Sequence, residues 1–138
     1  MSPEYRRLKL PARVESVRMF HEFVRSGAEP AGVDSGELDK LELVLEELLI
    51  NISRYAYGSE AGSVQVSYAV EPGKILVEVT DWGSSFNPLE AAPPDLTLGL
   101  ADRPVGGLGV LLVRQIVGSF GYRRVDGQNM VSFCFPAS

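Results

Sequence analysis

The sequence has little cysteine and lacks both a long apolar run and a recognisable secretory signal. Cys134 is its one cysteine among 138 residues, so an intramolecular disulfide is excluded and a zinc site built from thiolates is not expected. No apolar run approaches the roughly 20 residues that a membrane span needs. The first ten residues also lack the apolar core of a secretory signal. These absences favour a cytoplasmic protein with no membrane partner.

Basic charge is also scarce. Lysine and arginine total 13 against 18 aspartate and glutamate residues, and the net charge is −5. Because nucleic-acid binding needs a basic footprint, direct binding to nucleic acid is not expected. The length favours one domain over residues 1–138. Glycine is in mild excess, with 14 of 138 residues, or about 10% against a usual ~7%, so the positions of the glycines are informative.

Hydrophobic periodicity predicts the secondary structure. Residues 13–25 repeat apolar side chains at three- and four-residue steps, which predicts a helix that Ser26-Gly27 should end. A longer, leucine-rich helix is expected to begin at Asp34 or Ser35 and to stop at Gly58. The other predicted elements are a short edge strand (5–10), a hairpin (64–70 and 75–80), a third helix (109–117) and a last hairpin (122–125 and 130–135).

This order of elements predicts an α+β protein. Strands that are grouped in hairpins cannot form an all-parallel sheet. We therefore expect a two-layer α/β sandwich, with a mixed, mostly antiparallel sheet covered on one face by about three helices. Residues 84–105 have no periodicity and contain four prolines, which is typical of a functional lid.

Two short patterns contain side chains suited to chemistry. Glu47 and Asn51 are four residues apart on the long helix and share one of its faces, where an interhelical hydrogen bond of the amide is the simpler explanation. Asp81 follows a strand in the pattern Asp-Trp-Gly. This carboxylate either closes a turn or is held at the strand end beside Gly83, where a planar ligand could approach the backbone.

A third pattern, Gly106-Gly107-Leu108-Gly109, opens the predicted third helix. Glycines there expose backbone N–H groups that form an anion site with the helix dipole, or they simply hinge a loop. The pattern is not the lysine-bearing phosphate loop, which needs Gly-Lys-Ser/Thr. It is also not the dinucleotide fingerprint, which needs a strand directly before the glycines.

In this order, the three patterns resemble the Bergerat-fold (GHKL) ATPases, and within them most closely the anti-sigma-factor serine/threonine kinases with a histidine-kinase-like ATPase domain. The resemblance covers nearly the whole chain. Its motifs are the N-box in L-E-E-L-L-I-N-I-S-R-Y-A-Y-G (45–58), the first glycine box in D-W-G-S-S-F-N-P (81–88) and the second in G-G-L-G-V-L-L-V-R-Q-I-V (106–117).

The resemblance implies a role for each of these residues. Glu47 would be the general base that orients an attacking hydroxyl, and Asn51 would coordinate the Mg²⁺ that bridges the phosphates of ATP. Asp81 would accept a hydrogen bond from the adenine amine, and Gly83 would allow the base to approach closely. The phosphates would be bound by Arg103 in the lid and by Gly106, Gly107, Leu108 and Gly109.

The function that the resemblance implies is a cytoplasmic, Mg-ATP-dependent serine/threonine kinase. Its substrate would be a small anti-anti-sigma (STAS-type) protein, and it would be able to sequester a sigma factor. Relatives commonly form homodimers, which an antiparallel sheet with a free face permits. Two alternatives remain: a non-catalytic module in which nucleotide only sets the affinity for a protein partner, and an interaction domain that binds no nucleotide.

Three other residues invite weaker interpretations. His21 is expected at the surface or boundary of the first helix, with no metal or phospho-accepting role. Cys134 lies between Phe133 and Phe135 in a strand and is expected at a buried or partner-facing apolar position. Trp82 either stacks near the adenine or packs against the protein.

Overall fold

The computed structural model describes residues 4–57, 61–85 and 120–137. The order of elements there is strand, two helices and four strands, with a short 3-10 helix (Val14–Ser16) before the first α-helix. The elements are β1 (Arg6–Pro11), α1 (Val17–Ala28), α2 (Ser35–Tyr55), β2 (Ser63–Glu71), β3 (Lys74–Asp81), β4 (Phe120–Val125) and β5 (Gln128–Pro136).

The five strands form one sheet in the order β1-β2-β3-β5-β4. Every strand pairing among the described residues is antiparallel. In the centre of the sheet, Val79 lies opposite Val66 on one side and Val131 on the other. The α+β class and the mostly antiparallel sheet expected from the sequence are confirmed.

The core lies between this sheet and the two helices. Alternate residues of the central strands, such as Val66 and Val77, are fully buried on the face that the helices cover. The leucine face of α2 packs onto them, and Leu41 and Leu45 have no exposed surface. Most of the predicted lid (84–105) and the whole of the predicted third helix (109–117) lie outside the described residues.

Helix α2 begins as the sequence predicts. Asp34 is its N-cap, and the side chain accepts a hydrogen bond from the backbone N–H of Glu37 at 2.9 Å. The helix runs for 21 residues and presents Glu47 and Asn51 near its C-terminal end. None of the helices in the described ranges is long and apolar enough to cross a membrane.

Helix α1 differs from the prediction at both ends. Val14–Ser16 form a 3-10 helix and the α-helix starts only at Val17. Ser26-Gly27 do not end it, because the helix continues to Ala28. A Cβ atom on Gly27 would overlap with the ring of Tyr68. This glycine therefore serves the close approach of helix and sheet rather than helix termination.

Candidate functional site

The site residues lie on the C-terminal half of α2 and at the neighbouring end of the sheet. Two hydrogen bonds join these parts: the backbone N–H of Ser84 donates to the carbonyl of Ala56 at 2.8 Å, and the Ser84 hydroxyl donates to the same oxygen at 3.2 Å. Ala56 follows Asn51 by five residues, about 7.5 Å along a helix axis. The segment after β3 is therefore anchored close to the helix turn that carries Asn51.

Glu47 and Asn51 form a buried pair on α2. Their exposed fractions are 9% and 2%, and Asn51 Nδ2 donates a hydrogen bond to Glu47 Oε1 at 3.3 Å. The amide thus bonds within its own helix and not to another helix of the described structure. Burial raises the pKa of Glu47 above its ordinary value, while the bond from Asn51 acts in the opposite direction.

The remaining oxygens of this pair suit a hard cation. Asn51 Oδ1 and Glu47 Oε2 accept no hydrogen bond from the described residues. No group of three or more acidic, histidine or cysteine side chains could hold a metal in that part of the chain. Mg²⁺ commonly binds through one protein oxygen, waters and substrate phosphates. The donor set therefore fits a magnesium ion that arrives with a nucleotide.

Asp81 ends β3 and is 2% exposed. Its Oδ1 accepts two hydrogen bonds, from the backbone N–H of Gly83 at 3.0 Å and from Asn129 Nδ2 at 2.8 Å. Oδ2 accepts none from the described residues. Burial raises the pKa of Asp81, and the bonds from Asn129 and Gly83 and the charge of Arg124 act against this shift.

Gly83 makes the contact between the Asp-Trp-Gly segment and α2 feasible. A Cβ atom at this position would overlap with the carbonyl oxygen of Ala56. The carbonyl of Gly83 in turn accepts a hydrogen bond from Arg124 Nη1 at 2.7 Å. The glycine is therefore required by the protein's own packing, in addition to the ligand approach that the resemblance implies.

Tyr57 and Trp82 make further contacts where the Asp-Trp-Gly segment meets the end of α2. The hydroxyl of Tyr57 accepts a hydrogen bond from the backbone N–H of Trp82 at 2.8 Å and donates one to the carbonyl of Ser63. The indole ring of Trp82 packs under the ammonium of Lys9, which lies 4.1 Å from the ring centroid. This contact favours the packing interpretation of Trp82.

Three residues of the site were missed in the sequence, namely Asn129, Tyr122 and Arg124. The predicted hairpin strands (122–125 and 130–135) leave D-G-Q-N (126–129) as the turn. In the structure Asp126-Gly127 alone turn the chain, with φ angles of 50° and 78°, and Asn129 lies in β5. Asn129 is buried because the sheet register places it opposite Asp81. A cross-strand partner of this kind has no local signal in the sequence.

The remaining predicted residues lie elsewhere. Arg103, Gly106, Gly107, Leu108 and Gly109 are outside the described residues. His21 lies within α1, partly buried between core and surface as predicted, with Nδ1 3.9 Å from a carboxylate oxygen of Glu42. Cys134 is half-buried beside Leu76 on the sheet face away from the helices.

Comparison with known families bears directly on this site. The family model of the histidine kinase-like ATPase domain matches residues 10–135. The chain belongs to this family. The match begins at the end of β1, runs to the penultimate residue of β5 and includes Glu47, Asn51, Asp81 and Asn129.

This histidine kinase-like ATPase is similar to curated serine-protein kinases called RsbW. It is 29% identical over 129 residues to the protein of Listeria monocytogenes, covering 90% of this chain and 82% of that one. It is 21% identical over 128 residues to that of Bacillus mycoides, covering 90% and 80%. These matches confirm the likeness to kinases of this kind.

A solved structure confirms the fold. The RsbU and RsbW domains of Rv1364c from Mycobacterium tuberculosis align with a TM-score of 0.62 and 14% identity over 97% of this chain. The chain spans about a third of that longer protein, 32% of its length.

Proposed function

We propose that this histidine kinase-like ATPase is an Mg-ATP-dependent protein kinase of the anti-sigma-factor type. It transfers the γ-phosphoryl group of ATP to a serine or threonine of a small anti-anti-sigma (STAS-type) partner in the cytoplasm, and it sequesters a sigma factor. One observation carries the proposal: α2 buries a carboxyl group and an amide side by side, and each keeps an oxygen that no described residue uses.

Nucleotide binding uses both ends of the site. At the sheet, Asp81 Oδ2 accepts a hydrogen bond from the adenine amine. At the helix, Asn51 Oδ1 is the protein ligand of Mg²⁺, which when bound neutralises charge on the phosphates. Arg103 and the backbone of residues 106–109 bind the phosphates, and residues 84–105 act as the lid. These last assignments rest on the family's motifs.

Glu47 acts as the proton acceptor in the transfer. A bond forms between the oxygen of the attacking hydroxyl and the γ-phosphorus, and the bond from that phosphorus to the bridging oxygen of ADP breaks. The hydroxyl proton passes to the carboxylate of Glu47. Because burial raises the pKa of this carboxyl group, it accepts a proton more readily near neutral pH than an exposed glutamate does.

The test uses labelled ATP, the purified protein and a STAS-type protein encoded by a neighbouring gene. Glu47→Gln should lower phosphotransfer by about 100-fold or more, as expected for loss of a general base, and should leave the affinity for Mg-ADP nearly unchanged. Glu46→Gln, a change at the exposed neighbour, is the matched control and should retain activity. Undiminished transfer by Glu47→Gln would show that Glu47 is not the base.

The phosphotransfer assay and calorimetry together separate the kinase from the two alternative functions. If Mg-ADP binds but no phosphoprotein forms with any candidate partner, the protein is a nucleotide-dependent binding regulator. If calorimetry detects no binding of ADP with Mg²⁺, both nucleotide-based functions are wrong and a plain interaction domain remains.

A further inference from the structure

A chain of hydrogen bonds reaches the Asp81 carboxylate from the last hairpin. The hydroxyl of Tyr122 donates to Asn129 Oδ1 at 2.7 Å. Asn129 Nδ2 donates to Asp81 Oδ1 and to the carbonyl oxygen of Ser84, both at 2.8 Å. Because Nδ2 faces two acceptors and Oδ1 faces a hydroxyl donor, the orientation of the amide is determined by its surroundings.

The two carboxylate oxygens of Asp81 differ in their hydrogen bonds. Oδ1 receives both donors, Asn129 and the backbone of Gly83. Rotation of the carboxylate would break both bonds, so the side chain is held in one orientation. The oxygen that remains, Oδ2, is then an acceptor that can bind only a group with a hydrogen to donate.

We propose that Asn129, itself oriented by Tyr122, is a positioning residue that makes the site selective for 6-aminopurines by holding Asp81 with Oδ2 as the acceptor. The inference rests on the proposed nucleotide-binding function and adds a residue outside the three motifs. It also means that the strand register, which places Asn129 opposite Asp81, contributes to the selectivity of the site.

Asn129 should also influence the protonation state of Asp81. A neutral carboxyl group would carry a hydrogen and could no longer act purely as an acceptor. Burial favours this neutral form by raising the pKa of Asp81, and Asn129, the Gly83 N–H and Arg124 on β4 oppose it. The pKa of Tyr57, two residues beyond α2, is raised by burial and also by the negative charge of Asp81. Removal of the Asn129 amide should therefore move protonation of Asp81 to higher pH.

The test is a cycle of variants and ligands in binding titrations. The ligands are Mg-ADP and the diphosphate of purine riboside, which lacks the 6-amino group. Wild type should prefer ADP by about 10- to 100-fold, the range expected for a hydrogen bond to a charged group. Asn129→Leu should reduce this preference to about threefold or less while binding of the purine riboside diphosphate changes little. Gln128→Leu, at the neighbouring position on β5, is the control.

A pH series and a milder variant complete the experiment. As the pH is lowered, ADP binding by Asn129→Leu should begin to weaken at a higher pH than binding by wild type does. Tyr122→Phe keeps the amide but loses its anchor, and should give an intermediate preference even if Asn129→Leu fails to fold.

Three outcomes would overturn the inference. One is equal weakening of both ligands by Asn129→Leu with the same pH profile as wild type, because that result indicates a purely structural role. The second is a wild-type protein that binds ADP and the deaminated analogue equally. If Asn129→Leu does not fold, the third is a wild-type ADP preference in Tyr122→Phe. If wild type binds neither ligand, the proposed function itself fails.

Discussion

Glu47 and Asp81 are the buried carboxyl groups of the described residues, and burial raises the pKa of each above its ordinary value. A raised pKa in the folded state means that ionisation opposes folding. The stabilising contribution is complete below the unfolded-state pKa and is lost as the pH rises through the folded-state pKa. At neutral pH both groups therefore lower the stability of the domain, and this cost accompanies the chemistry proposed for them.

Replacement of Glu47 by glutamine should reveal this cost. Glutamine keeps an oxygen for the bond from Asn51 Nδ2 but has no charge to bury. We expect Glu47→Gln to unfold at a higher temperature than wild type at pH 8. The difference should shrink as the pH falls toward 4.5, because a raised pKa leaves more than half of the Glu47 carboxyl groups protonated in the folded protein at that pH. Thermal melts across this pH range check the expectation, and a melting temperature at pH 8 equal to that of wild type would contradict it.

A methyl group on Gly83 should be costly because the Ala56 carbonyl occupies the space it needs. Gly83→Ala must move the Asp-Trp-Gly segment away from α2. This shift weakens the hydrogen bonds from the Gly83 N–H to Asp81 Oδ1 and from the Ser84 N–H to the Ala56 carbonyl. We expect a loss of about 1–3 kcal/mol of unfolding free energy, typical of overpacking at a buried position. We also expect an ADP affinity at least tenfold weaker.

Gly36→Ala is the matched control for that change. A Cβ atom there meets only Asp34 Oδ1, at 3.4 Å, and the position lies in the first turn of α2. Since alanine favours helix over glycine, this variant should be as stable as wild type or slightly more so. If denaturant titration showed equal losses for both variants, the contact with Ala56 would not be the cause.

At the scale of elements, α2 depends on its N-cap. The bond from the Glu37 N–H to the Asp34 side chain satisfies a backbone donor that the helix itself cannot. Asp34→Ala should cost about 1 kcal/mol in urea unfolding, with Ser35→Ala as the neutral comparison. Asn51 is more than four helical turns away, so the ADP affinity should be unchanged. A weakened affinity would mean that the cap also positions the site.

The same helix shows what a sequence can predict and what it cannot. The start of α2, its leucine face and the Glu47–Asn51 pair follow from local spacing and capping chemistry. The end of α1 and the role of Asn129 do not, because each depends on a residue distant in the chain. Gly27 lies against Tyr68 of β2, and Asn129 pairs with Asp81 through the sheet register. Tertiary contact of this kind overrides the local preference of glycine for a helix end.

On the scale of the whole molecule, the two ends of the proposed nucleotide contact different layers of the fold. Asp81 belongs to the sheet and Asn51 to the helical layer, and they are joined through Ala56, Tyr57 and the segment after β3. A nucleotide that spans both would bind only the assembled domain. Its binding energy should therefore appear as stability of the entire fold.

Thermal unfolding with Mg-ADP tests this coupling. At a concentration of 100 times the dissociation constant, a ligand specific to the folded state adds about 2.7 kcal/mol, which corresponds to a rise in Tm of roughly 10 °C for a domain of this size. Chelation of Mg²⁺ should remove most of the rise, and Asn51→Ala should lack the magnesium-dependent part. Ser53→Ala, on another side of α2 with its hydroxyl bonded to the Ile50 carbonyl, should respond as wild type does. A full magnesium-dependent rise in the Tm of Asn51→Ala would contradict this prediction. It would show that the ion stabilises the fold through ligands other than the Asn51 amide.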